Sequence, residues 1–240
     1  MKTIKIAMVG LMALLATSCN FDISLGQISG NGKVVTEERS VEGGFNAVRG
    51  MAGMDVYLTH GDTEKIVVEA DENLMEIIET KIVDGELRIK ATQNIGRSKA
   101  QKVHVTFTSL NKIEASSGAD VIGNSLIKSE TLRLSSSSGA DLEIDILAKD
   151  VYASTSSGAD LKVSGTATQL TADASSGSDL KAQELEVKRC KASASSGADI
   201  AVHVREQIEG NASSGGDIRY YGNPTAVSVK DGASGSVRKM

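Results

Sequence analysis

From about residue 111 onward, apolar or small residues alternate with polar ones at a period of two, over runs much longer than one flat strand. Leu132, Leu134, Ser136, Ser138, Ala140, Leu142, Ile144 and Ile146 share one parity. Cys190, Ala192, Ala194, Ser196, Ala198, Ile200, Val202 and Val204 repeat the pattern. A period of two puts each set on its own face of a strand. So long a run must bend. The bend is expected at the glycine of a recurring hexapeptide, since a residue without Cβ accepts dihedrals that others avoid.

The hexapeptide first occurs as Ser116-Ser117-Gly118-Ala119-Asp120-Val121 and last as Ser213-Ser214-Gly215-Gly216-Asp217-Ile218, and a degenerate Ala233-Ser234-Gly235-Ser236-Val237 follows. Its aspartates, Asp120, Asp141, Asp160, Asp179, Asp199 and Asp217, step by 21, 19, 19, 20 and 18 residues, within the range of solenoid repeats. The pattern predicts an all-β parallel β-helix with rungs stacked at about 4.8 Å. In each corner the first Ser, the Gly and the Asp should face outward and the second Ser inward.

Upstream the bursts are shorter. Phe45–Val48, Asp55–Thr59, Lys65–Ala70, Lys81–Val83, Glu86–Lys90 and Val103–Phe107 read as strands. Asp84-Gly85 signals a hairpin and Gly61-Asp62 a tight turn. Asp71 is placed to cap a short helix over Asn73–Ile77. Gln93–Gln101 reads as a polar, basic loop in which Arg97 and Lys99, with Lys102 just beyond, form a solvated patch. The expected organisation is a leader over 1–18, a polar tether over 19–33, and one domain over 34–240. Within it, irregular strands over 34–110 precede repeat rungs over 111–240.

Composition agrees with a stack. Aromatic residues are 3% of the chain, Pro occurs once and Gly 24 times. A globular core draws much of its buried area from aromatics, whereas thin rungs are filled by Val, Leu, Ile and Ala.

The first residues carry an export signal. Lys2 and Lys5 precede an apolar stretch from Ile6 to Ala16 that is too short to span a bilayer. Ala16-Thr17-Ser18 then leads into Cys19. This pattern predicts a lipoprotein signal in which Cys19 becomes the acylated first residue, anchored to a membrane without crossing it. The cell envelope, most simply the outer membrane, is the expected location. The formal net charge of −5 becomes −7 once Lys2 and Lys5 leave with residues 1–18. That disfavours nucleic acid, whose phosphates need clustered Lys and Arg. Cys190, the other cysteine, falls on the apolar parity and is expected in the core.

Stacking would align the six aspartates in a ladder. In one reading Asp and Ser side chains satisfy turn amides and the ladder is scaffold. In the other, Asp120, Asp141, Asp160, Asp179, Asp199 and Asp217 hold cations. Scaffold is the expectation, and no metal is assigned. One Asp per rung offers few of the six to eight oxygens calcium prefers, and the period differs from the nine-residue calcium repeat. Other chemistry is sparse. His60, His104 and His203 show no metal-ligand spacing, and no Ser sits in a Gly-x-Ser-x-Gly elbow. No catalytic residue and no cofactor are expected.

Phe45, Asp55-Val56-Tyr57-Leu58, Glu72-Asn73-Leu74 and Asp84-Gly85-Glu86-Leu87-Arg88-Ile89, followed by the Ser-Gly-Ala-Asp corners, resemble the head GIN domain over roughly residues 40–225. That family groups autotransporter-adhesin-like proteins common among envelope lipoproteins of Bacteroidetes. The resemblance implies a right-handed β-helix of pectin-lyase-like architecture, and neither a settled activity nor catalytic residues. No membrane barrel of the autotransporter kind is expected before Met240. The expected function is a non-enzymatic binding or structural module presenting a β-face to a glycan or an envelope protein. The alternative is a polysaccharide lyase or hydrolase, which would need acid/base groups in a groove. A role as sensor or assembly partner for other envelope proteins is a third possibility.

Overall fold

A computed structural model describes residues 26–232 and 234–240. Cys19 and the expected leader lie outside the described residues, as does the expected tether up to residue 25. The described strands join into a single sheet network.

The N-terminal strands are β1 (Val34–Arg39), β2 (Ala47–Gly50), β3 (Asp55–His60), β4 (Lys65–Asp71), β5 (Ile78–Val83), β6 (Glu86–Ala91) and β7 (Gln101–Phe107). Then come β8 (Lys112–Ser116), β9 (Asp120–Gly123), β10 (Ile127–Ser137), β11 (Asp141–Ser156), β12 (Asp160–Ser175) and β13 (Asp179–Ser195). β14 (Asp199–Ala212), β15 (Asp217–Tyr221), β16 (Ala226–Asp231) and β17 (Ser236–Lys239) complete the chain. From β8 onward every pairing is parallel and each hexapeptide lies beside the next, as a parallel β-helix requires.

The core is a set of stacked columns. Val121, Leu142, Leu161, Leu180, Ile200 and Ile218 are successive register partners, and all are buried. A second column runs Leu134, Ala153, Ala172 and Ala192, where small side chains keep the core thin. Cys190 sits between Leu170 and Ile208, 3% exposed, and burial pushes its thiol up to about 12. It is a core residue, as its parity predicts.

The first rung lies earlier than the repeat suggests. β2 pairs parallel with β8, and β3 with β9, so Ala47–His60 already forms a rung. Its corner, Ala52-Gly53, has φ of 57° and 72°, matching Ser138-Gly139 at 57° and 65°. Only the residues around it are irregular. β7 lies between β3, to which it is parallel, and β4, to which it is antiparallel. The Gly61-Asp62 turn therefore joins strands that do not pair with each other. β5 and β6 form the hairpin expected at Asp84-Gly85.

Three local expectations are corrected. The second Ser of each corner was expected inward. It is exposed at Ser117, Ser138, Ser157, Ser176, Ser196 and Ser214, with φ between 50° and 58°. Ser and Gly together make a two-residue left-handed turn, which leaves the alternation on either side unchanged.

Asp71 does not cap a helix. A short 3-10 turn at Glu72–Leu74 carries no side-chain cap. Instead the fully buried carboxylate accepts the backbone N–H groups of Gly32, Lys99 and Ala100 at 2.9–3.3 Å.

The tether also ends sooner than expected. Ile28 bridges Ile95, and the Ile28 and Gly30 amides donate to the carbonyls of Asn94 and Arg97. Residues 28–33 are thereby tied to the domain and to the 93–101 loop.

Candidate functional site

The corners align the aspartates, and the line is longer than the repeat indicates. Asp55 pairs with Asp120, which begins the run Asp141, Asp160, Asp179, Asp199 and Asp217, and Ser236 takes the next place. Asp55 carries no hexapeptide around it. Its signal was an Ala-Gly-Met-Asp echo of Ser-Gly-Ala-Asp.

These carboxylates do not hold the turn amides. Backbone groups do that: the Gly139 and Gly158 amides donate to the second Ser carbonyls of the next corner, and the Asp141 and Asp160 amides donate to the Ala carbonyls of the previous one. Asp160, Asp179 and Asp199 reach instead toward the column two residues farther along, which reads Tyr57, Ile122, Glu143, Lys162, Lys181, Ala201 and Arg219. Lys181 lies 3.0 Å from Asp160 and 3.6 Å from Asp179, and Arg219 lies 2.8 Å from Asp199. Ser236 donates to Asp217.

The first three rungs offer no such cation in that column. Partial burial, reinforced by the neighbouring aspartates, raises the carboxyls of Asp120 and Asp141 above the ordinary range. Asp55 is raised by burial against the opposing pull of Lys102. The ladder is therefore a charge-compensated edge at one end and a repelling triplet at the other. Among the described residues, no group of three or more His, Cys, Asp or Glu is placed to hold a metal ion.

A different feature occupies the outer face that precedes the corners. Lys112, Arg133, Tyr152, Thr171, Lys191, Glu209 and Ser228 form one row of register partners. Glu114, Ser135, Ser154, Asp173, Ser193, Asn211 and Lys230 form the next. Shallow depressions follow these rows. One of about 360 Å³ includes Lys112, Arg133, Tyr152 and Asp173 in its lining. A serine-rich one of about 280 Å³ shares Ser135, Ser154 and Asp173 with it. Others adjoin them at Lys191–Lys230 and at Arg189, while Arg49, Lys81, Arg88 and Lys90 line one toward the N-terminal end.

The Arg133 guanidinium lies 4.8 Å from the centre of the Tyr152 ring, a cation–π distance that gives this aromatic residue of the lining a fixed neighbour. The linings of the depressions contain none of the ladder aspartates. The sequence reading assigned no binding residues, so it missed this face. The signal was present in the outward parity once the repeat had set the register.

The fold is a parallel β-solenoid with an N-terminal antiparallel portion, and a line of shallow depressions runs along one outer face. Residues 44–224 match the family described as "Putative auto-transporter adhesin, head GIN domain", and the chain belongs to that family. An adhesin-like family points to a cell-surface or envelope location.

Solved structures share the fold. A "putative adhesin" from Bacteroides fragilis is 20% identical, with a TM-score of 0.81, over 89% of this chain and 100% of that one. A "putative lipid binding protein" from Parabacteroides distasonis is 20% identical, with a TM-score of 0.70, over 89% and 99%. A "putative adhesin" from Parabacteroides merdae is 21% identical, with a TM-score of 0.66, over 90% and 99%. No curated protein matches the chain.

Proposed function

We propose that this protein is a non-enzymatic binding module of the cell envelope. A lipid on Cys19 anchors it to the outer membrane, and a single β-solenoid domain over residues 34–240 presents its grooved face to a glycan or protein. The observation that carries the reading is the line of depressions along one outer face, from Arg49 and Arg88 to Lys230. A groove repeated rung by rung suits an extended ligand contacted at many weak points. The carboxylates that burial raises, Asp120 and Asp141, lie across the corner from the groove, and those that line it, Glu79, Glu114, Asp173 and Glu209, are spread along its depressions, so the reading assigns no acid/base pair to it. Cys19 is supported by the basic n-region, the short apolar run and the small residues before it.

A glycan array probed with the full chain, paired with a turnover assay on every polysaccharide that binds, tests the reading. Binding without cleavage is expected, and cleavage would replace the module with an enzyme. Cys19→Ser should lose acyl labelling and leave the membrane fraction. A wild-type chain that is soluble in its native host would sink the anchor.

A further inference from the structure

The depressions are lined by Arg49, Lys81, Arg88, Lys90, Lys112, Arg133, Arg189, Lys191 and Lys230, but by only four carboxylates, Glu79, Glu114, Asp173 and Glu209. The whole chain has a formal charge of −5. The groove is thus a positive face on a negative protein, separated by the corners from the aspartate ladder.

Several of its cations are already committed. Glu86 pairs with Arg88 and Lys112, at 2.8 and 2.9 Å, and Glu79 pairs with Lys81 and Lys90. Arg133, Lys191 and Lys230 have no carboxylate partner among the described residues. Arg133 and Lys191 occupy one row three rungs apart, ~14 Å at about 4.8 Å per rung. Lys230 follows two rungs later in the adjacent row. Between them lie the hydroxyl and amide groups of Ser135, Ser154, Thr171, Ser193 and Asn211, together with two carboxylates, Asp173 between Ser154 and Ser193 and Glu209 beside Lys191, so that three cations face two anions along this stretch.

We propose that this groove binds an acidic polysaccharide, a deepening that rests on the grooved face being the binding surface. The free cations meet anionic groups spaced along the polymer, while the serine rows, with the threonine and asparagine among them, exchange hydrogen bonds with sugar hydroxyls. Tyr152 supplies the apolar ring on which a sugar face packs. A nucleic acid would demand denser basic charge and a run of stacking aromatics. An acidic peptide would leave the hydroxyl rows without a matching polyol. Charges separated by more than about 8 Å are strongly screened at physiological salt, so recognition depends on local contact with these three cations and not on overall charge.

The test compares polygalacturonate with the same polymer after methyl esterification, which keeps the sugar chain and removes its charge. The full chain in detergent micelles is titrated with each, and with alginate, heparin and polyglutamate. Binding to at least one acidic polysaccharide is expected. If polygalacturonate is the one, esterification should weaken it at least tenfold. Arg133→Glu with Lys191→Glu should weaken it as much, while Lys162→Glu with Arg205→Glu, the same charge change outside the groove, should leave it intact. Thermal melts establish that both variants fold, and Tyr152→Ala supplies a milder variant expected to lose binding without a charge change.

Equal binding of the esterified polymer would overturn the anionic specificity while leaving the groove a glycan site. Equal loss in the control variant would show that net charge alone attracts the polymer, and would overturn the site. Polyglutamate binding in place of the polysaccharides would assign the groove to an acidic protein. Binding to none of the acidic polysaccharides overturns the inference, and the glycan array then decides separately whether the face binds any glycan.

Discussion

Asp55 and Asp120 are register partners on adjacent parallel strands; Lys102 flanks Asp55 on its other side, whereas Asp120 lies between two aspartates, Asp55 and Asp141. Burial, with repulsion from Asp55 added, raises the Asp120 carboxyl above its usual 3.8. The native state therefore holds a proton more tightly than the unfolded chain. Its contribution to stability is fully present below about 3.8 and is lost as pH rises through the raised value. Asp120→Asn should stabilise the protein at pH 7, by roughly 1 kcal/mol or less for charges one rung apart in solvent. At pH 3 it should do little. Urea denaturation at both pH values measures this, and an equal gain at pH 3 would remove ionisation from the account.

Leu161 and Asp160 are neighbours in sequence with opposite roles. Leu161 is fully buried between Leu142 and Leu180. Leu161→Ala should cost about 2–5 kcal/mol, from lost burial and the cavity left behind. Asp160 is half-exposed, and its contact with Lys181 is a surface ion pair. Asp160→Ala should cost about 1 kcal/mol or less. Chemical denaturation ranks the two, and a larger loss at Asp160 would mean that the ladder carries more of the stability than its exposure implies.

How far the sequence discloses this molecule depends on where the information is local. The parallel stack, its register and the inward columns follow from six matched hexapeptides and a period of two. The rung at Ala47–His60 was hidden because Met51-Ala52-Gly53-Met54-Asp55-Val56 keeps only the Gly, the Asp and the closing aliphatic residue of that hexapeptide and neither of its serines. The place of β7 between β3 and β4 depends on contacts between distant segments, which no local pattern encodes. The second Ser was misplaced for a geometric reason. A corner of two left-handed residues consumes an even number of positions, so the parity continues through it although Ser157 itself points to solvent. The groove needed both the parity and the register, since Arg133, Tyr152 and Lys191 are unremarkable until stacked.

That corner is open to direct test. Ser157 and Gly158 have φ of 57° and 68°, and a Cβ added to Gly158 would meet nothing within 4 Å. The cost of Gly158→Ala is therefore conformational, about 1–2 kcal/mol for a left-handed residue with a side chain. Ser157→Gly relieves the same strain but gives the unfolded chain more freedom. It should leave stability unchanged or raise it by up to about 1 kcal/mol. A destabilised Ser157→Gly would reveal a role for the hydroxyl that the structure does not display.

Asp71 holds the start of the domain against the 93–101 loop through the Gly32, Lys99 and Ala100 amides. Burial raises its carboxyl, but these three donors outweigh burial and hold it below the ordinary range. Its stabilising contribution is present above about 3.8 and is lost as pH falls through the depressed value. Asp71→Asn turns an amide NH2 toward donors that need an acceptor. Hydrogen exchange at Gly32, Lys99 and Ala100 should accelerate at neutral pH, while amides in β12 and β13 stay protected. Unchanged exchange at all three would show that the loop is held by other contacts.

Calcium discriminates between the two readings of the ladder. Lys181 and Arg219 already occupy the space beside Asp160, Asp179 and Asp199, leaving Asp55, Asp120 and Asp141 as the stretch where carboxylates could be pooled. One carboxylate per rung supplies few oxygens for an ion that prefers six to eight. A site selective for the native state would add about 2.7 kcal/mol at a hundredfold excess over Kd, which a thermal melt detects easily. The expected result is the same melting temperature in chelator and in millimolar calcium. A rise in calcium that disappears in Asp120→Asn with Asp141→Asn would turn the repelling triplet into a cation site. A rise that survives those substitutions would place the ion away from the ladder. The double variant should itself melt higher than wild type in chelator, because it removes adjacent like charges, and that gain separates relief of repulsion from loss of a bound ion.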